Sequence, residues 1–218
     1  MSPVGANPVF TAGRIFNASR VDCQSLKSRP LKKEPEKEVS MNIPQSGGCL
    51  CGAIRYTVTA EPLRVTICHC TFCQKITGSA YLVEPIFRKQ DVSFSGTTKA
   101  FVHRSDNSSK KVTVNFCGIC ATKVHLDLER FPAIWGLFGG TFDDPNWFDR
   151  SAANCFHIFT RSAQHGAVIP PGVATFEAHA IELDGTPILP TVLAHHTVVS
   201  RLTSRGEGSR EGLPPRGR

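Results

Sequence analysis

Between residues 53 and 159 the chain is a succession of short β-favouring runs punctuated by turn residues. Ala53-Ile54-Arg55-Tyr56-Thr57-Val58-Thr59 mixes β-branched and aromatic residues with polar ones, and Val65-Thr66-Ile67 leads the same way into Cys68. Lys75-Ile76-Thr77-Gly78-Ser79-Ala80 then reads as a turn or short helical element. Tyr81-Leu82-Val83, Val92-Ser93-Phe94, Ala100-Phe101-Val102, Lys111-Val112-Thr113-Val114 and Lys123-Val124-His125-Leu126 are further strand candidates, separated by Gly, Asp, Asn and Ser clusters. The run from Ile134 to Phe142 predicts a buried strand ending in the turn Asp143-Asp144-Pro145, and Phe156-His157-Ile158-Phe159 predicts a last strand. The pattern is that of a mainly β domain of short antiparallel strands.

The ends read differently. Residues 1–40 have no periodic apolar face, contain Pro3, Pro8, Pro30 and Pro35, and close on the charged run Lys32-Lys33-Glu34-Pro35-Glu36-Lys37-Glu38. A disordered basic and polar extension is expected there. The folded domain is expected over 41–183. Past Pro170-Pro171 the pattern weakens, and 184–218 is expected as a disordered tail. The hydrophobic content of 40% suits a chain that is not packed along its whole length. No apolar run approaches the roughly 20 residues of a membrane helix, so no membrane is expected as a partner. With no secretory leader visible, a cytoplasmic location is expected. Arg14, Arg20, Lys27 and Arg29, with Asp22 the lone acid up to about residue 31, give only a faint likeness to a mitochondrial leader, which Pro3, Pro8 and Gly13 spoil.

The net charge of +7 would suit nucleic acid if it lay on one folded face. Its distribution argues otherwise. Residues 1–40 carry seven Lys/Arg against four Asp/Glu, 184–218 five against three, and 41–183 thirteen against eleven. Nucleic acid is not an expected partner of the domain.

Nine cysteines is an odd number, and without an export signal reduced, metal-binding thiols are the expected use. Cys49 and Cys51 form one close pair among glycines, and Cys117 and Cys120 form another far along the chain. Together they make one complete four-sulfur zinc site that ties the ends of a small β domain together. Cys68, Cys70 and Cys73 are left one ligand short. Three thiolates around a zinc with an open position are the parts of a reaction centre rather than a closed staple. Cys155 is expected as a small buried hydrophobe, and Cys23 as an inert free thiol.

Gly48-Cys49-x-Cys51-Gly52, Cys68-His69-Cys70-x-x-Cys73, Gly78-Ser79, Phe116-Cys117-x-x-Cys120 and Gly140-Thr141-x-Asp143-Asp144, taken together, resemble the glutathione-dependent formaldehyde-activating enzyme family, which also includes centromere protein V. The resemblance covers about residues 41–162. It implies a β-tent fold similar to the Mss4-like group. It also implies two zincs per chain, a structural one on Cys49, Cys51, Cys117 and Cys120 and a catalytic one on Cys68, Cys70 and Cys73. The implied activity is that of a carbon–sulfur lyase joining formaldehyde to the glutathione thiol, so the implied partner is a small-molecule thiol adduct, glutathione-derived in the family's case. Gln74 departs from the Arg that many members carry there, and no aromatic follows Arg161.

A three-thiolate zinc has a formal charge of about −1 and is a weak Lewis acid, yet it holds a coordinating thiol deprotonated. A second group must then move the proton. His69 is expected to point away from the metal, because neighbours in an extended turn face opposite ways. His103 and His125 are expected as ordinary strand residues, Asp143 and Asp144 as turn residues, and Trp135 and Phe138 as core. A second reading makes the domain a zinc-stabilised scaffold whose basic tails bind an acidic partner such as chromatin, microtubules or RNA.

Overall fold

The computed structural model describes residues 43–200. The extension expected over 1–40, Cys23 with it, and the last part of the expected tail, 201–218, lie outside the described residues.

Among the described residues are fourteen short strands and one α-helix. β1 (Gln45–Gly48) and β2 (Arg55–Val58) form a hairpin that β5 (Val92–Ser95) extends into a three-stranded antiparallel sheet. β3 (Arg64–Cys68) runs into the helix α1 (Thr71–Thr77), and β4 (Leu82–Arg88) returns antiparallel to β3. β6 (Thr98–Arg104), β7 (Lys111–Cys117), β8 (Lys123–Leu128) and β9 (Ile134–Leu137) meander back to β4. β10 (Cys155–Ile158) lies on the other side of β3. β11 (Val168–Ile169), β12 (Ala174–Thr175), β13 (Thr191–Val192) and β14 (Thr197–Val198) follow. The large sheet has the order β13-β12-β10-β3-β4-β9-β8-β7-β6, and β11 pairs with β14.

Two details differ from the expectations. β10 is parallel to both β3 and β12, because the stretch between β9 and β10 carries the chain back to the starting edge of β3 before it turns into the sheet. Residues 184–200, expected as part of a disordered tail, contribute β13 and β14. Strands of two residues are too short to leave a periodic pattern in the sequence.

The two faces of β3 and β4 do different things. Side chains alternate along a strand, so Val65, Ile67 and Phe87 pack on one face with Tyr56, Leu137 and Phe142. Cys68 and Leu82 point to the other, where Val114, Leu126, Phe138 and Ile158 gather. The first face is the main core. The second carries the candidate site.

Candidate functional site

The four-sulfur cluster closes one end of the fold. Cys49 follows β1, Cys117 ends β7, and Cys51 and Cys120 sit in the turns that each leads into. The four Sγ atoms lie within 4.8 Å of one another. Cys49 Sγ is 3.5 Å from Cys51 Sγ, and Cys51 Sγ is 3.7 Å from Cys117 Sγ. A tetrahedron of metal–sulfur bonds about 2.3 Å long has edges of about 3.8 Å, so the cluster fits a single ion. Backbone N–H groups already point at the sulfurs: Ile54 donates to Cys49 Sγ at 3.2 Å and Ile119 to Cys117 Sγ at 3.4 Å. Thr122 Oγ1, 3.2 Å from Cys120 Sγ, holds that thiol down to about 5.

The three-sulfur cluster is built at the junction of β3 and α1. Cys68 is the last residue of β3. Cys70 caps the helix, its Sγ accepting from Cys73 N–H at 3.3 Å, and this places Cys73 one turn along and back over the strand end. Gly78 ends the helix at φ 66°, a backbone angle that suits a residue without Cβ. The three sulfurs lie within 4.8 Å of one another, with Cys68 Sγ donating to Cys70 Sγ at 3.5 Å, again close to a tetrahedral edge. Hydrogen bonds from Cys68 and Cys73 hold the Cys70 thiol down at about 3, while the same contacts leave Cys68 and Cys73 raised.

His69 turns away from this cluster, fully buried. Its Nε2 is 2.9 Å from Nδ1 of His157 on β10, and its ring meets Tyr81 edge-on. Burial depresses both imidazoles, His157 to about 4, so both are neutral at pH 7. Gln74 locks the backbone between the cysteines, donating from Nε2 to His69 O at 2.6 Å and to Ser162 O at 2.8 Å. Asp143 pairs with Arg55 and Asp144 closes a turn onto Asn146 N–H, so neither joins the cysteines. Cys155 is buried, His125 packs between Phe94 and Trp135, and Phe138 is core.

Cys68, Cys70 and Cys73 line a cavity of about 480 Å³. Sequence reasoning missed most of what else lines it. His103 on β6 stacks on Phe72 with ring centroids 4.5 Å apart. His179 stacks on Phe131, and its Nδ1 accepts from Ile181 N–H at 3.1 Å; burial keeps it neutral, near 4. Lys110, Lys111, Arg130 and Arg161 stand in the wall against only Glu84 and Asp106 as acids. Glu84 lies inside the fold, where burial, with the Cys70 charge adding to it, pushes its carboxyl up to about 8. A lone acid in the apolar run Leu82-Val83-Glu84-Pro85-Ile86-Phe87 was its visible signal, since charged residues are seldom fully buried.

Fold and clusters together define a small, mainly β domain organised on two cysteine sites that can each hold a metal ion. The family model described as glutathione-dependent formaldehyde-activating enzyme matches residues 44–162, just over half of the sequence, and the chain belongs to that family. Its membership agrees with the expected β-tent fold. Among solved structures, the chain is similar to a Rhodobacter sphaeroides protein determined by structural genomics, with 21% identity and a TM-score of 0.36 over 45% of this chain and 87% of that one. No curated protein matches the sequence. Among the described residues no helix is long and apolar enough to cross a membrane.

Proposed function

We propose that the protein is a zinc-dependent carbon–sulfur lyase acting on the thiol adduct of an aldehyde, with a glutathione-type adduct of formaldehyde as the leading substrate. Cys49, Cys51, Cys117 and Cys120 would hold a structural zinc, and Cys68, Cys70 and Cys73 a second one at the cavity. A zinc on three thiolates supplies an electrophilic centre that favours the deprotonated form of a sulfur brought to it.

The single observation that carries this reading is the placement of an incomplete three-cysteine set in the wall of a cavity whose lining includes none of the complete four-cysteine set. The chain's own residues would do the rest. Four cationic side chains against two acids favour an anionic ligand such as the carboxylates of a glutathione-like peptide. Phe72 and His103 form a flat wall along which a peptide thiol can lie. Gln74 and Ser162 keep the cysteine loop in one conformation, so that the substrate sulfur meets a fixed position. The activity suits a reducing compartment such as the cytoplasm, where thiols persist.

The test is exchange of formaldehyde with S-hydroxymethylglutathione, followed by NMR on the metal-loaded full chain. Exchange well above the spontaneous rate, and lost in Cys70→Ser, is the expected result. Equal exchange with and without the protein would contradict the reading.

A further inference from the structure

β3 and β4 pair so that Cys68 faces Leu82, Thr66 faces Glu84 and Arg64 faces Ile86. With a two-residue side-chain period these six residues share one face of the sheet, the face of the three-cysteine cluster. Glu84 is therefore the diagonal neighbour of Cys68, at a separation of about 7–8 Å. Its carboxylate is not among the mutually close ligand atoms of the cluster, so it does not complete the set. It lines the same cavity.

The residue is 7% exposed, and its Oε1 is sealed from solvent with no hydrogen-bond partner. Space for it exists because position 136 lacks a side chain: Gly136 pairs with Ile86, and a Cβ there would run into the Glu84 carboxylate. Arg64 shares the face but forms no ion pair with Glu84 among the described residues; its guanidinium lies 5.3 Å from the centre of the Phe156 ring. A buried carboxyl without partners is unfavourable for folding. Here the chain has cleared a space over Gly136 to hold one in the wall of the cavity that the cysteines also line.

We propose that Glu84 is the catalytic proton-transfer group of this site. The proposal rests on the reading of Cys68, Cys70 and Cys73 as the place that receives the substrate sulfur. In the cleavage direction the Glu84 carboxylate takes the hydroxyl proton of R–S–CH2–OH. The O–H electrons become the second bond of formaldehyde, the C–S bond breaks, and its electron pair leaves with sulfur as the thiolate. Glu84, now a carboxylic acid, gives its proton to water that enters the cavity it lines once the products have left. The synthetic direction runs the same steps backwards, with Glu84 protonating the oxygen as the thiolate adds to carbon. Nothing is oxidised or reduced, and no further reactant enters.

The test uses the zinc-loaded full chain and S-hydroxymethylglutathione. Glu84→Gln keeps the shape and removes the transferable proton, so kcat is expected to fall about 100-fold or more while KM and zinc content stay as in wild type. Glu84→Ala opens a gap in the cavity wall, and acetate in the buffer is expected to restore part of its turnover in proportion to concentration. This second variant keeps the test alive if Glu84→Gln folds poorly. A Glu84→Gln enzyme within about threefold of wild type in kcat overturns the proposal. So does loss of zinc in that variant, which would make Glu84 a support of the metal site instead. A wild-type protein with no turnover on any hydroxymethyl thiol overturns the lyase reading itself. An active wild type with an equally active Glu84→Gln removes Glu84 alone.

Discussion

At the residue scale the seven clustered cysteines form two separate groups, and if the proposed division between a structural and a catalytic site holds, single substitutions should separate them. Cys117 ends β7 inside the cluster that joins residues 49–51 to 117–120. Cys117→Ser should therefore yield aggregated or unfolded protein, read by circular dichroism and gel filtration, because losing a structural metal forfeits a large share of folding energy. Cys70→Ser should stay folded, lose one zinc by elemental analysis, and lose catalysis. Similar behaviour of the two variants would contradict the division. Glu84 gives a pH test. Its carboxyl is raised in the folded chain, first by burial, to about 8 from 4.5. Between those values the unfolded chain ionises and the folded one does not, so the ionisation-linked cost of burying Glu84 is absent below 4.5 and grows as pH climbs to 8. Glu84→Gln should be no more stable than wild type near pH 5, and more stable by on the order of a few kcal/mol near pH 8, in urea titrations of the zinc-loaded protein. A gain that does not grow with pH would show that the carboxyl ionises freely in the folded state.

At the scale of elements, α1 is the piece that makes the three-cysteine site. Seven residues cannot hold a helix in water by themselves. It persists because Cys70 caps it, Gly78 closes it, and Gln74 reaches out to two backbone carbonyls on either side of the site. Gln74→Ala should cost about 1–3 kcal/mol of stability in chemical denaturation, since it strands the Ser162 carbonyl and weakens the hold on His69 O. No change in stability would mean that these two bonds are not what fixes α1. The helix also shows where sequence reading reaches its limit. The turn or short helix expected at 75–80 belongs at Thr71–Thr77, because the cap is a cysteine and cysteine is not among the residues that usually announce a helix start. The spacing of the cysteines gave both clusters, since ligands two or three residues apart must converge on one point. Glu84 and His157 could not be found that way. Only the pairing of β4 with β3 puts Glu84 on the face of Cys68, and only the pairing of β10 with β3 brings His157 to His69.

On the scale of the whole molecule, the family match ends at residue 162 while the fold goes on. β12 pairs with β10, Phe176 packs on Phe156, and His179 reaches the cavity from beyond the matched region. Arg130 is tied to the same segment through the carbonyls of Ile181 and Glu182. A chain ending at Ser162 should uncover Phe156 and Phe159, bind a hydrophobic dye and aggregate; a soluble truncation with full turnover would show that the segment is dispensable to both fold and site. A scaffold that works through the expected basic tails would keep its partner whatever becomes of Cys70.

The most direct measurement is zinc-edge X-ray absorption on the metal-loaded protein, before and after addition of glutathione. Seven cysteine sulfurs over two ions give an average of about 3.5 sulfurs per zinc, rising to about 4 when the thiol occupies the open position beside Cys68, Cys70 and Cys73. Four sulfurs per zinc from the start, with one zinc per chain and no change on adding thiol, would leave only the structural site and contradict an open metal centre at the cavity.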